Sequence, residues 1–165
     1  MLPLTLLAIQ KVSDLLTSNS ALTQELTSLT NSIATSIPVI DSAHVVLSSV
    51  ASDLGDTDAR LGYPRVCLYS SGYRNSQLEK FCSFSGVVSA VADIWTSANL
   101  VDDTDRWIHY YVEAVTALVR RSAGDWGDGI YFPGIYDVQF QPAKAGGIGF
   151  VQLAKLRFDL IMTQE

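Results

Sequence analysis

The sequence predicts an α+β fold: a mostly antiparallel β-sheet packed against one central α-helix, with N-terminal helices and a long C-terminal β-hairpin. Three observations carry this expectation. The segment at about 102–122, DDTDRWIHYYVEAVTALVRRS, is strongly amphipathic. The runs 79–96 and 134–162 alternate apolar and polar residues with the period of a strand. The first thirty-odd residues repeat leucine and isoleucine at helical spacing.

The central helix is the most sharply defined element. At about 100° per residue, Trp107, Ile108, Tyr111, Val112, Val115, Leu118 and Val119 fall within an arc of roughly 140°. Arg106, His109, Glu113, Thr116 and Arg120 fall opposite. Asp102, Asp103 and Asp105 complement the N–H groups at its start. Arg120 and Arg121 complement its carbonyl end, and Gly124 offers a left-handed stop. The apolar arc needs a cover, and the flanking alternating runs supply one.

The remaining elements follow in order. The run 3–17 reads as a helix with Pro3 in its first turn and Leu6, Ile9, Val12 (or Ser13) and Leu16 on one face. After Ser18-Asn19-Ser20, Leu22, Leu26, Leu29 and Ile33 continue at helical spacing until Pro38 ends the pattern. The two pieces are either a helical hairpin or one bent helix. His44 to Leu47 suits an edge strand. Residues 52–60 are a polar turn, 63–69 a strand beginning at or after Pro64, and 70–77 an exposed loop. In 79–96, Cys82, Phe84, Gly86, Val88, Ala90, Ala92 and Ile94 share a face, and Ser83, Ser85, Ser89 and Asp93 the other. A strand so long suggests a bend or bulge at Gly86. GDWGDGIYFPG reads as a turn-rich connection. In the C-terminal hairpin Tyr136, Val138 and Phe140 alternate, and Ala154, Leu156, Phe158, Leu160 and Met162 oppose Lys155, Arg157 and Asp159. QPAKAGGIG forms its mobile tip. The 165 residues suit one domain, with 1–36 a helical segment and 39–162 the core.

Composition narrows the function. Hydrophobic residues make up 48% and charged residues 17%, enough for a core and short of charge for a surface, as in a subunit of an assembly. A net charge of −6 without a basic stripe argues against a grip on nucleic acid. Cys67 and Cys82 lack metal-ligand spacing and read as small buried apolar residues, with a disulfide as the alternative. No positive charge precedes the first apolar stretch, which argues against a secretory signal, and no apolar run is long enough to span a membrane.

Chemical motifs are sparse. His109 stands four residues before Glu113, an i,i+4 pair on the polar helix face. No GxSxG elbow exists, and Gly146-Gly147-Ile148-Gly149 lacks the Lys-Ser/Thr of a phosphate loop. Asp53, Asp56 and Asp58 make an acidic turn without the closing Glu of a calcium loop. Asp125 and Asp128 flank Trp126, so a small hydrolase or ligand-binding domain using them with His109 is the rival reading. Turn chemistry explains the same residues. The residues therefore predict no enzyme, cofactor or metal.

The order YPRVCLYSSG, EKFCSFSGVVSAVADIWTSA, DRWIHYYVEAVTALV and GDWGDGIYFPGIYDVQFQPAKAGGIGFVQLAKLRFDL resembles tail terminator (tail completion) proteins of tailed bacteriophages, over roughly 39–162. The resemblance implies an α/β subunit of a homo-hexameric ring at the virion neck, assembled in the host cytoplasm. Such a ring caps the tail tube protein, meets head connector proteins, and lets DNA pass without specific binding or any membrane contact. A head-completion or connector adaptor is the alternative. The expected contact regions are the 141–149 tip and the 70–80 loop, with Arg65, Tyr73, Arg74, Lys80 and Lys144 as interface residues. Lys144 leads, because a cation at a mobile tip can pair with an acidic neighbour. Ordinary solvated residues are the competing reading for each.

Overall fold

The structure, a computed structural model, describes residues 2–33, 36–48, 62–76, 80–147 and 149–165. It is an α+β fold. Helix α1 spans Leu4–Thr17, with Pro3 at its N-cap. One 3-10 turn, Ser18–Ser20, leads to α2, Ala21–Thr30. Asn19 and Ser20 both take positive φ, which breaks the helix at the predicted place. A 3-10 turn at Ser42–His44 precedes the short strand β1, Val45–Val46. Strands β2, Arg65–Asn75, and β3, Phe84–Ala98, come next. Helix α3 is Val101–Arg121. The chain closes with β4 (Gly124–Gly127), β5 (Ile130–Phe132), β6 (Tyr136–Phe140), β7 (Lys144–Ala145) and β8 (Phe150–Gln164).

Eight strands make one sheet in the order β1-β2-β3-β8-β5-β4, with β6 and β7 also paired to β8. Among the described residues, only the β1–β2 pair is parallel. The frame is β3 against β8, in register from Phe84↔Gln164 to Ala98↔Phe150. The other edge of β8 is shared by β5, β6 and β7, so β8 is paired on both sides.

One face of this sheet meets the helices. Val66, Leu68, Phe84, Val88, Ala90, Ala92, Ile94, Leu156, Phe158, Leu160 and Met162 join Ile108, Tyr111, Val112, Val115 and Val119 in one buried cluster. Each fully buried side chain of this size contributes about 1.5–3 kcal/mol of transfer free energy. Ile9, Leu16, Leu22 and Leu26 belong to the same cluster, so the N-terminal helices share the core of the sheet. Helix α1 lies on β2 and β3, while α2 packs on α3. The Arg121–Glu25 ion pair at 2.6 Å and the Tyr111 hydroxyl donating to the Pro38 carbonyl at 2.7 Å tie these pieces together.

Several expectations are corrected. Thr116, placed on the polar face, is buried. Helix α2 covers a flank of α3, and the Thr116 hydroxyl is satisfied by the Val112 carbonyl at 2.8 Å. Leu6, placed on the apolar face of α1, is 41% exposed, and Ala8 is buried instead. The N-cap of α3 is Leu100, without a side-chain cap. Asp102 and Asp103 lie in the first turn. Gly124 does have φ +126, but it opens β4 rather than ending α3. The 70–77 loop is largely strand, because β2 runs on to Asn75. The turn-rich connection folds into the β4–β5 hairpin. The long strand is accommodated by a bulge between Ser70 and Gly72 on its neighbour, not at Gly86. Gly86 serves close approach: a Cβ there would sit 1.9 Å from the Arg74 carbonyl oxygen. Cys82 precedes β3 and is half-buried, Cys67 is buried, and both are thiols rather than partners in a disulfide. Asp53, Asp56 and Asp58 lie outside the described residues.

Candidate assembly surfaces

The opposite face of the sheet carries the odd positions of β3 and β8, which alternation assigned to solvent. Near the β3 terminus it is not solvated. Cys67, Trp95, Val151 and Leu153 form a second buried cluster, with Val46 and Tyr63 against it. Asp93 and Lys155 face each other across β3 and β8. The Lys155 ammonium stands 2.9 Å from Asp93 Oδ1 and donates to the Tyr69 hydroxyl at 2.7 Å. The Tyr69 hydroxyl donates to Asp93 Oδ2 at 3.1 Å. The two charged side chains are only 18% and 7% exposed. Burial by itself lowers the Lys155 pKa, but the hydrogen bonds to Tyr69 and Asp93 and the Asp93 charge outweigh it, and the net shift is upward. Burial raises the Cys67 thiol, against the lowering influence of the Arg65 guanidinium. Burial likewise raises the Tyr111 phenol on the helix face.

Arg65 belongs to this buried face. Its guanidinium carbon lies 4.4 Å from the Tyr63 ring centroid and 5.3 Å from that of Trp95, and the residue is fully buried. It was expected beside an exposed contact loop. Its place at the start of β2, cross-strand from Trp95, puts it inside the subunit instead.

The other four predicted interface residues are exposed, at two separate ends of the sheet. Tyr73 and Arg74 lie on the last turn-ward residues of β2, and Lys80 lies just before β3. Tyr73 is 65% exposed and packs edge-on against Phe84, with ring centroids 5.9 Å apart. Arg74 lines a shallow groove with Ser71, Gly72, Ser89 and Asp159. Lys144 is on β7, paired with Val151 near the other end of β8. By register, Tyr73 and Arg74 lie nine and ten residues along β8 from the position of Lys144, roughly 30–35 Å, so Lys144 belongs to a different surface region from them.

The rival hydrolase constellation is not assembled. Asp128 pairs with Lys11 at 2.7 Å, and the Asp125 carboxylate accepts from the Gly127 N–H at 2.8 Å within its own turn. His109 stacks on Phe140 at 4.7 Å rather than pairing with Glu113, which stands 3.7 Å from Arg120. His109 lies roughly 20 Å along the axis from the end of α3, where the two aspartates follow. Among the described residues, no group of three or more His, Cys, Asp or Glu side chains could hold a metal ion.

Residues the sequence reading did not nominate also stand out. Phe81 is 96% exposed and Ile135 74% exposed, and Phe140 is 44% exposed at the end of β6. Phe81 falls out of phase with the even-numbered apolar series of β3, and that was its only sequence signal. Among the described residues, the unpaired edges include those of the terminal strands β1 and β4, that of β2 beyond Cys67, and the outer edge of β6. No described helix is long and apolar enough to cross a membrane. No protein-family model matches the chain, and a search of curated proteins finds no match.

Proposed function

We propose that the chain is a structural, non-catalytic ring subunit of a phage neck, which terminates the tail tube and joins tail to head. The observation that carries this reading is that two of the unpaired edges of one sheet bear unlike exposed side chains. The β2 edge carries Tyr73 and Arg74; the β6 edge carries Ile135, Asp137 and Phe140. Unlike patches on one subunit favour head-to-tail contact, and head-to-tail contacts close into rings when the rotation permits. Open edges bearing apolar residues are otherwise a liability that monomers cover or blunt. The sequence resemblance to tail terminators over roughly 39–162 implies the hexameric stoichiometry, the tube and connector partners, and the neck location. The acidic chain suits a ring through which DNA passes without a phosphate grip.

Mass spectrometry of purified virions tests the location, and electron cryomicroscopy of their necks tests the ring. The expected result is this chain as a stoichiometric ring between tube and connector. Its absence from purified particles would sink the proposal. Copurification with the portal rather than the tube protein would move it to the adaptor role.

A further inference from the structure

The turn between β2 and β3 displays Phe81 in an unusual way. The side chain is 96% exposed, and its φ of +74° lies in the left-handed region that a bulky residue avoids. The base of the turn is fixed. The Ser76 N–H donates to the Ser85 carbonyl at 3.1 Å, and the Ser83 N–H donates to the Gln164 carbonyl at 2.8 Å. A strained backbone holding a large apolar ring in water points to a contact made elsewhere. Lys80 adjoins it and is exposed.

Across the sheet, at the start of β6, lies a groove of about 350 Å³. Pro133, Ile135, Tyr136 and Phe158 give it apolar walls, and Asp137, Arg157 and Asp159 stand at its polar rim. Asp137 and Arg157 are cross-strand neighbours, and the Ser89 hydroxyl holds Asp159 at 2.7 Å. Asp137 is the exposed acid nearest the apolar wall in sequence, as Lys80 is the exposed cation nearest Phe81.

We infer that Phe81 of one copy seats in the Ile135–Tyr136 groove of the next copy, with Lys80 set against Asp137. The occupant is a second copy of this chain. Knob and groove are different surfaces on one subunit, each lacks an occupant within that subunit, and Asp137 and Asp159 outnumber Arg157 at the groove, so its rim is net acidic where the knob carries Lys80. This contact rests on the ring reading and names the residues that would form it. A central aromatic in an apolar pocket, rimmed by a charge pair, is the arrangement in which one side chain dominates an interface.

The experiment uses sedimentation velocity and native mass spectrometry on the wild-type chain, Phe81→Ser, Ile135→Asp, and their equimolar mixture. Both residues are exposed, so unchanged thermal melts by circular dichroism verify folding. Wild type is expected to form closed oligomers. Each variant alone is expected to be monomeric, with self-affinity reduced on the order of tenfold or more. The mixture is expected to stop at heterodimers, because the groove of Phe81→Ser and the knob of Ile135→Asp remain intact. Lys80→Asp and Asp137→Lys should each weaken assembly and together restore it. If wild type and Phe81→Ser assemble alike, this contact is wrong while the ring reading stands. If the single variants are monomeric but their mixture gives no heterodimer, knob and groove do not meet. If wild type stays monomeric at every concentration, the contact and the ring reading both fail.

Discussion

Adjacent positions on the same strands have opposite fates on the two faces of the sheet. Toward the helices stand Val66, Ala92, Ile94 and Leu156, all apolar and buried. Toward the other side, one residue away on each strand, stand Arg65, Asp93, Trp95 and Lys155, equally withdrawn from water apart from part of the lysine. The first face is held by close packing, where each side chain contributes on its own. The second is held by mutual satisfaction, where the guanidinium lies between two rings and the ammonium between a phenol and a carboxylate. Damage should therefore spread differently. On the packed face a loss scales with the atoms removed; on the polar face it depends on what is left without a partner.

The largest effect is expected from a charge placed on the packed face. Val115 is fully buried in the middle of α3, so Val115→Asp should cost more than about 4 kcal/mol and leave the chain unfolded by circular dichroism. A folded, soluble variant would mean the wrong helix face has been taken as buried. Next, Lys155→Ala strands the Asp93 carboxylate and should destabilise by about 3 kcal/mol in urea titrations. The double replacement Asp93→Leu/Lys155→Met should recover most of that loss, since no buried charge remains. If the single and double variants are equally unstable, the polar face is ordinary packing. Gly86→Ala comes third, at about 1–3 kcal/mol, because its methyl group would overlap the Arg74 carbonyl.

The smallest effect is a pH dependence. The Lys155 pKa is raised on folding, so its contribution is fully present below the ordinary value of 10.5 and is lost as pH climbs through the raised one. Cys67, raised from 9.0, acts in the same sense from a lower pH. Stability should thus decline on the alkaline side, starting near pH 9. The Tyr111 phenol, raised from 10.0, adds a loss of the same sign, so Lys155→Met should lessen the decline above pH 10.5 without abolishing it, and an unchanged slope in that variant would show that Lys155 does not contribute.

The difference between the faces also explains what could be read from sequence. The helix-covered face announced itself through strict period-two and 3.6-residue patterns, and Phe84, Val88, Ile94, Val115 and Leu156 are where those patterns place them. The polar face could not be read the same way. Asp93 and Lys155 look like solvated positions until cross-strand pairing sets them opposite each other, and register is not a local property. Arg65 stands among the contact residues only through the resemblance and its place beside the 70–80 loop; its aromatic neighbours Tyr63 and Trp95 meet it only in three dimensions. Tyr73, Arg74 and Lys80 were legible as surface residues by their polarity. Their separation from Lys144 was not, because it depends on which end of the β3–β8 frame each one reaches.

Assembly by unlike surfaces is the central claim, and native mass spectrometry of the wild-type chain across a concentration series tests it most directly. The account predicts that monomer gives way to one closed oligomer of fixed size, with any intermediates being open chains of odd as well as even number. A chain that remains monomeric throughout, or that forms only a symmetric dimer, would contradict it.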